Sequence, residues 1–201
     1  MKQTLLVGTR NPGKVREIEN ILAGCGWPFS LLQSFPGVDT PAESGATYAD
    51  NAILKARFYA HATGTCALAD DSGLEVEALA GAPGVFSARY AGDNASDADR
   101  RALLLSELAK IPNANRRARF VSVVAISDAK GSVLNVSEGI CEGTIISAAR
   151  GDGGFGYDPL FVPDGFNQTF AELTDDVKNI ISHRAHALLN TRHFLLNMVR
   201  A

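Results

Sequence analysis

Residues 8–14 combine several groups that bind phosphate. They follow a short apolar run at 4–7 and precede apolar residues at helical spacing. A turn between a strand and a helix directs backbone N–H groups and the positive end of the helix dipole toward an anion. Lys14 adds a full charge, and Thr9 and Asn11 add neutral hydrogen-bonding groups. The spacing is not the Walker pattern, so a tight strand-to-helix turn with a solvated lysine is the alternative.

Two adjacent carboxylates, Asp70 and Asp71, follow the apolar run 65–69, which we predict to be a buried strand ending at this point. Open α/β sheets place ligands at the carboxyl ends of their strands. A carboxylate there can hold Mg²⁺ or act as a general base on water. If the strand continues, the two side chains alternate faces and only one enters a cleft. A turn in which they accept local N–H groups is the alternative.

Glu43 lies just before the second predicted helix, where a carboxylate can simply be a partner of the helix dipole. On that helix Asn51 and Lys55 are four residues apart and share a face. Lys55 is flanked by small and apolar residues. It can reach a phosphate beside Asn51, or it can extend its charged end into solvent; spacing leaves both open.

The segment 151–159 holds four glycines around one phenylalanine and one tyrosine. Such a composition indicates close backbone approach or several positive φ angles. An aromatic ring held there suits stacking on a flat base, and Asp158 offers an acceptor to a ring N–H. A folded surface Ω-loop is the alternative.

Three cationic or titratable side chains, Lys178, His183 and Arg184, cluster near the predicted start of the last helix at Ser182. Cations at a helix N-terminus oppose the dipole, so a bound oxygen acceptor would offset the mismatch. Arg offers a forked donor and His a single one. The group therefore favours a carbonyl or phosphate ligand.

The elements that position these residues alternate between strand and helix at first and are mostly strands later. Capping boxes at Thr47 with Asp50 and at Ser96 with Asp99 predict helix starts. This order predicts an α/β or mixed α+β fold, with helices packed on a mixed sheet. The predicted strands are 4–7, 28–32, 65–69, 119–126, 132–137 with its continuation 138–146, and 161–162. One predicted helix follows residue 14, and three more span 47–63, 96–110 and 182–199.

Length and composition narrow the class of protein. The 201 residues fit one domain, or two lobes sharing one core. A net charge of −3 argues against a general nucleic-acid binder. The three widely spaced cysteines form no metal or disulfide pattern and indicate packed thiols in the reducing cytoplasm. We expect no signal peptide and no membrane span.

The segments considered above, with several others, resemble the family of non-canonical purine NTP pyrophosphatases, also called Ham1-like or RdgB-like. They occur in the family's order and cover nearly the whole chain. Eight such segments in order are far more specific than any one of them. The matching segments are 9–14, 43–48, 50–56, 69–74, 81–84, 87–90, 153–159 and 182–184.

The resemblance implies hydrolysis of ITP, dITP and XTP to the nucleoside monophosphate and pyrophosphate. It implies Mg²⁺ as cofactor and a cytoplasmic homodimer that binds a small-molecule nucleotide, neither nucleic acid nor membrane. It also implies a single domain over 1–201, with an elongated central mixed sheet and two lobes enclosing a cleft.

Carried over residue by residue, the resemblance makes Asp71 the general base on the attacking water, and Glu43 and Asp71 the metal-facing carboxylates. Arg10 departs from the glycine common in the family at that position. The implied substrate contacts are Thr9, Arg10, Asn11, Pro12, Gly13, Lys14, Lys55, Ser72, Phe155, Gly156, Tyr157, Asp158, Lys178, His183 and Arg184.

Base selection follows from hydrogen bonding. Donors from His183 or Arg184 match the O6 atom of a 6-keto purine. Opposite the 6-amino group of ATP the same donors would be left unpaired, and this mismatch would reject ATP strongly. A pyrophosphatase with another base preference and a nucleotide-sensing module that does not hydrolyse are the rival readings. Asp71 and Glu43 argue against the sensor, because a pure binder needs fewer carboxylates beside phosphates.

Overall fold

The structure, a computed structural model, describes residues 4–200. Within that range one sheet has the strand order β2-β1-β3-β4-β5-β6. The strands are β1 (Leu5–Val7), β2 (Phe29–Leu31), β3 (Cys66–Val76), β4 (Arg117–Ser127), β5 (Val133–Ile145) and β6 (Phe161–Pro163). The helices are α1 (Pro12–Leu22), α2 (Tyr48–Thr63), α3 (Asp97–Ala109), α4 (Asp175–Ile181) and α5 (His183–Arg200).

The sheet is mixed, as predicted. Strand β1 pairs in parallel with β2 and with β3, with Val7 opposite both Leu31 and Leu68. Strand β5 pairs antiparallel with β6, with Thr144 opposite Val162. The parallel strands β1, β2 and β3 are linked through helices, as parallel pairing requires, whereas a short turn joins β4 to β5.

The two predicted capping boxes are confirmed. In α2 the Thr47 hydroxyl accepts from the N–H of Asp50 at 3.1 Å, and the Asp50 carboxylate accepts from the N–H of Thr47 at 3.1 Å. Ser96 and Asp99 make the same reciprocal pair at the start of α3. The last helix begins directly after Ser182, as predicted.

One prediction about local structure was wrong, and one helix was not predicted. Strand β3 does not end before Asp70 but runs through the acidic pair to Val76. A strand can bury these carboxylates because side-chain cations pair with them, as described below. Helix α4 was missed because its seven residues are too few for a helical apolar pattern; Thr174 starts it by accepting from the N–H of Val177 at 3.4 Å.

The chain divides into two compact units, each with its own apolar core. Unit 1 comprises Met1–Asp71, Ser122–Gly139 and Arg184–Ala201, and unit 2 comprises Ser72–Val121 and Ile140–His183. The core of unit 1 includes Leu5, Val7, Ile18, Leu22, Leu68, Val124, Leu188 and Leu195. The core of unit 2 includes Leu74, Val76, Leu104, Phe120, Ile145, Leu160, Phe161 and Phe170.

The three cysteines are buried and carry free thiols. Burial raises the pKa of Cys141 to about 12, so this thiol stays protonated at neutral pH. This agrees with the expectation that the thiols pack as small apolar side chains. Across residues 4–200, no helix has both the length and the apolar character needed to cross a bilayer.

Candidate active site

The turn between β1 and α1, in unit 1, is shaped by Asn11. Its side-chain oxygen accepts from the N–H groups of Gly13 at 2.8 Å and Lys14 at 3.2 Å. These two N–H groups are therefore already satisfied within the turn. What the turn offers an anion is the charge of Lys14 together with the hydroxyl of Thr9, and Pro12 fits the first helical position, where no N–H is needed.

Gly8 lets this turn lie against strand β3. Its N–H donates to the carbonyl of Leu68 at 2.7 Å. A Cβ at Gly8 would lie 2.7 Å from that carbonyl oxygen and 2.6 Å from Cδ2 of Tyr59. The close approach brings the start of α1 beside the carboxylates of β3.

Asp70 is a buried carboxylate that accepts from two cations. Its Oδ2 lies 3.0 Å from Lys14 Nζ and 3.1 Å from Arg184 Nε. The Arg184 Nη1 atom also donates to Glu17 at 2.6 Å. The side chains of Asp70 and Arg184 are each 1% exposed, so the charges balance one another inside the protein.

The pKa values of this group follow from burial opposed by pairing. Burial alone would raise the pKa of Asp70, but Lys14 and Arg184 hold it well below its usual range. Burial lowers the pKa of Lys14 despite the attraction of Asp70. Asp70 and Glu17 keep the pKa of Arg184 above its usual value although burial opposes this. Asp70 is therefore ionised at neutral pH.

Asp71 is the centre of a second charged group in unit 1. Its Oδ1 accepts from Lys55 Nζ at 2.7 Å, and the same ammonium donates to Glu43 at 2.7 Å. Its Oδ2 accepts from the Asn51 amide at 3.3 Å. Asn51 Oδ1, the oxygen of the same side-chain amide, accepts from the N–H of Gly45 at 2.8 Å. This contact ties the loop carrying Glu43 to α2.

The Asp71 carboxylate is more basic than an exposed one. Burial raises its pKa, and the nearby Glu43 adds to the rise while Lys55 opposes it. Burial works against the charge of Lys55, but the carboxylates of Asp71, Asp70 and Glu43 raise its pKa above the usual value. Lys55 is thus held as an ammonium between the two carboxylates.

The donor set in unit 1 fits Mg²⁺ that is shared with a phosphate ligand. Oxygen atoms of Glu43 and Asp71 both lie 2.7 Å from one point, now occupied by Lys55 Nζ. The buried Oδ1 of Asp70 has no hydrogen-bond partner among the described residues. Among residues 4–200, no group of three or more His, Cys, Asp or Glu side chains is arranged so that it could hold a metal ion by itself. Mg²⁺ is commonly bound by one or two carboxylates plus substrate phosphates.

Unit 2 contains a separate polar cluster around Asp158, which is buried. Its Oδ2 accepts from Lys178 Nζ at 2.6 Å and from the N–H of Phe155 at 2.9 Å. Lys178 Nζ also lies 4.8 Å from the centroid of the Phe155 ring. Gly154 has φ +70°, and a Cβ there would collide with the Asp158 carboxylate. A glycine is therefore required beside this cluster.

Two further predicted residues of unit 2 are packed among aromatic and backbone groups. The His183 ring stacks on Phe120 with centroids 4.6 Å apart and planes 12° apart. Tyr157 is buried, and its hydroxyl donates to the carbonyl of Ser87 at 3.0 Å; burial raises its pKa. Phe155, which is only partly buried, is therefore the loop ring accessible for stacking.

The structure thus brings the predicted residues into two groups. Arg10 lies at the edge of unit 1, where it donates to the carbonyl of Val38 at 2.6 Å. Ser72 follows Asp71 on β3 and belongs to unit 2. Unit 1 holds Thr9, Asn11, Lys14, Glu43, Lys55, Asp71 and Arg184; unit 2 holds Phe155, Gly156, Tyr157, Asp158, Lys178 and His183.

Sequence reasoning missed Glu17 and assigned no role to Asp70. Glu17 follows Lys14 by three residues on α1, a spacing that places both on one face and could have indicated a shared partner. The pairing of Asp70 with Arg184 joins residues 114 positions apart. No local pattern indicates such a contact.

The fold and these clusters define a class: an α/β protein that holds lysines beside paired carboxylates. The sequence profile of the Ham1 family matches residues 5–194. The chain belongs to the Ham1 family.

Relatives and solved structures agree with this membership over almost the full chain. The chain is 49% identical over 191 residues to the dITP/XTP pyrophosphatase of Desulforamulus reducens, covering 95% of this chain and 94% of that protein. It is 51% identical over 184 residues to the dITP/XTP pyrophosphatase of Deinococcus deserti, covering 92% and 85%. The structure of a HAM1 protein from Coxiella burnetii matches with TM-score 0.88 and 39% identity, covering 99% of this chain and 100% of that one.

Replacing Asp70 tests the buried charge group. Asp70→Asn leaves Lys14 and Arg184 without their shared counter-charge, so we expect a loss of about 3–5 kcal/mol in unfolding free energy at pH 7. Because pairing lowers the folded pKa of Asp70, its stabilisation is present above its unfolded pKa, about 4, and is lost as pH falls below it. The difference in unfolding free energy between wild type and Asp70→Asn should therefore become smaller at acid pH.

Urea unfolding at pH 7 and at acid pH measures both effects. Asp39→Asn, at an exposed carboxylate, is the matched control and should change stability by no more than about 0.5 kcal/mol. Equal losses in the two variants would contradict the role given to Asp70.

Proposed function

We propose that this protein is a pyrophosphatase for non-canonical purine nucleoside triphosphates. It hydrolyses ITP, dITP and XTP to the monophosphate and pyrophosphate and so removes them from the nucleotide pool. Relatives named dITP/XTP pyrophosphatase, 49% and 51% identical over most of the chain, support this function. The observation that carries it is the Asp71–Lys55–Glu43 group beside Lys14, in which Asp71 and Lys55 are buried and Glu43 is partly exposed.

The unit 1 cluster binds the triphosphate. A triphosphate carries about four negative charges near neutral pH, and preorganised cations in a site with little water stabilise such charge strongly. Lys14 is already held by Asp70, so it loses little freedom when phosphate oxygens replace water around it. Glu43 and Asp71 would hold Mg²⁺, and the bound ion would neutralise charge on the leaving pyrophosphate.

Asp71 acts as the general base. Burial raises its pKa toward the operating pH, which favours proton transfer from water. The water oxygen forms a bond to the α-phosphorus, and its proton passes to the Asp71 carboxylate. The bond from the α-phosphorus to the bridging α–β oxygen breaks, so pyrophosphate leaves and the nucleoside monophosphate remains. Lys55 Nζ donates to the phosphate oxygens instead of to Asp71 Oδ1, so this oxygen can accept the proton of the attacking water. Asn51 keeps the other oxygen in place.

The unit 2 cluster selects the base. Phe155 offers a ring for stacking. Lys178 and Asp158, 2.6 Å apart, are a donor next to an acceptor. This pair matches the O6 and N1–H of a 6-keto purine and mismatches the N1 and amino group of adenine. The direct contacts assigned to Ser72, His183 and Arg184 stay predictions.

We also propose that the protein works as a cytoplasmic homodimer. The family resemblance supports this, and the three buried free thiols suit a reducing compartment. Light scattering should give a mass of about twice the 21.3 kDa chain. A single-chain mass at micromolar concentration would count against the dimer, and recovery outside the cytoplasmic fraction would count against the location.

A substrate panel tests the reaction and the base preference. With Mg²⁺ present, we expect pyrophosphate from XTP, ITP and dITP, with kcat/KM at least about 100-fold above that for ATP. Pyrophosphate and orthophosphate are measured separately for each nucleotide. Orthophosphate as the first product would exclude this reaction, and preferred turnover of modified pyrimidine nucleotides would support a pyrophosphatase of different base choice.

Asp71→Asn tests the base. The amide keeps the shape and the contact with Asn51 but cannot take the proton, so kcat for XTP should fall by about 10²–10⁴-fold. Nucleotide binding, followed by calorimetry, should remain measurable. Glu107→Gln on α3 is the control and should keep wild-type kcat. A variant that retains more than about a tenth of the activity would remove Asp71 from this role.

A further inference from the structure

Helix α3 holds the backbone of one residue of the glycine-rich loop, Gly156, by both its N–H and its carbonyl. Asp97 Oδ2 accepts from the N–H of Gly156 at 2.7 Å. Arg101 Nη1 donates to the carbonyl of the same residue at 2.7 Å. Asp97 and Arg101 are four residues apart and therefore lie on one face of the helix. All three residues belong to unit 2.

The Asp97 carboxylate is itself fixed in place. Its Oδ1 accepts from Arg100 Nη1 at 2.5 Å, and Arg100 Nη2 donates to the carbonyl of Ala95 at 2.6 Å. Asp97 is the first residue of α3, where the helix dipole favours a negative charge. Each carboxylate oxygen thus has one defined donor, and the helix start presents a rigid acceptor to the loop.

The loop needs such an external contact because its own sequence is permissive. Gly156 has φ +60°, and a Cβ there would meet no atom within 4 Å. Its neighbours are the partly exposed Phe155, whose N–H donates to Asp158, and the buried Tyr157. The two peptide groups that flank Gly156 therefore link Phe155 to the anchored tyrosine, and holding them fixes the direction of Phe155.

We propose that Asp97 and Arg101 are positioning residues for the base-recognition loop, acting through the backbone N–H and carbonyl of Gly156. This inference rests on the proposed function, in which Phe155, Lys178 and Asp158 recognise the base. Ordering a loose loop on binding costs affinity, so a preorganised loop improves nucleotide binding and discrimination. The groups proposed to carry out hydrolysis belong to unit 1 and take no part in these two contacts.

The kinetic test compares variants that differ only in this contact. Asp97→Ala should raise KM for XTP by about tenfold, keep kcat within about twofold, and narrow the XTP-to-ATP ratio of kcat/KM. Asp97→Asn keeps an oxygen that accepts from Gly156 and should restore most of the loss. Arg101→Met removes the donor to the Gly156 carbonyl while leaving Asp97 in place, and it should also raise KM for XTP.

Asp99→Ala is the matched control. Asp99 is two residues away and accepts from the N–H of Ser96 at 2.9 Å, so its loss removes the capping box of α3 without touching the loop. It should lower stability while leaving KM and the XTP-to-ATP ratio unchanged. The same kinetic change in Asp99→Ala would show that helix stability, not the loop contact, is responsible, and would overturn the proposal.

Hydrogen–deuterium exchange gives a readout that does not depend on activity. The Gly156 amide should exchange at least about tenfold faster in Asp97→Ala than in wild type, and at the wild-type rate in Asp99→Ala. Unchanged exchange in Asp97→Ala would overturn the contact. Faster exchange with unchanged KM and discrimination would overturn the positioning role. If wild type released no pyrophosphate from any nucleotide, the proposed function would fail, and the exchange result would still decide the contact.

Discussion

The burial of the Asp70 carboxylate is the constraint on which unit 1 depends. An isolated charge in an apolar interior costs several kcal/mol, so it must be paired. Lys14 from α1 and Arg184 from α5 meet on one oxygen of this residue, and Glu17 balances the second cation. The ends of two helices are therefore fixed to one position of β3, since moving either would leave a buried charge without its partner.

This pairing also accounts for the cations at the start of the last helix. Positive charge there opposes the helix dipole, at a cost of up to about 1 kcal/mol, and the sequence alone suggested a ligand oxygen as compensation. The structure supplies internal carboxylates for the cation at this helix start, because Asp70 and Glu17 pair with Arg184. Lys178 lies instead in the last turn of α4 and pairs with Asp158. Cations held in this way are already oriented before substrate arrives, which is how electrostatic preorganisation works.

How much could be predicted depended on the range of the interaction. The capping boxes of α2 and α3 and the mixed sheet were predictable, because they follow from short spacings and from the order of elements. Strand β3 was cut short at Asp70, because a pair of aspartates signals a turn unless distant cations are known to neutralise them. Helical spacing placed Lys55 beside Asn51 but gave no sign that Asp71 would be its partner. The contact of Asp97 with Gly156 spans 59 positions, so no local sequence pattern predicts it.

The charge balance of the unit 1 cluster explains why a divalent cation belongs to the proposed reaction. Lys14, Lys55 and Arg184 face four carboxylates, those of Glu17, Glu43, Asp70 and Asp71. Side chains alone therefore make no strongly positive site, although the proposed substrate brings about four negative charges of its own. A protein that only bound polyphosphate would be better served by fewer acids. Carboxylates in this number are useful when they share Mg²⁺ with the phosphates and when one of them must take a proton from water.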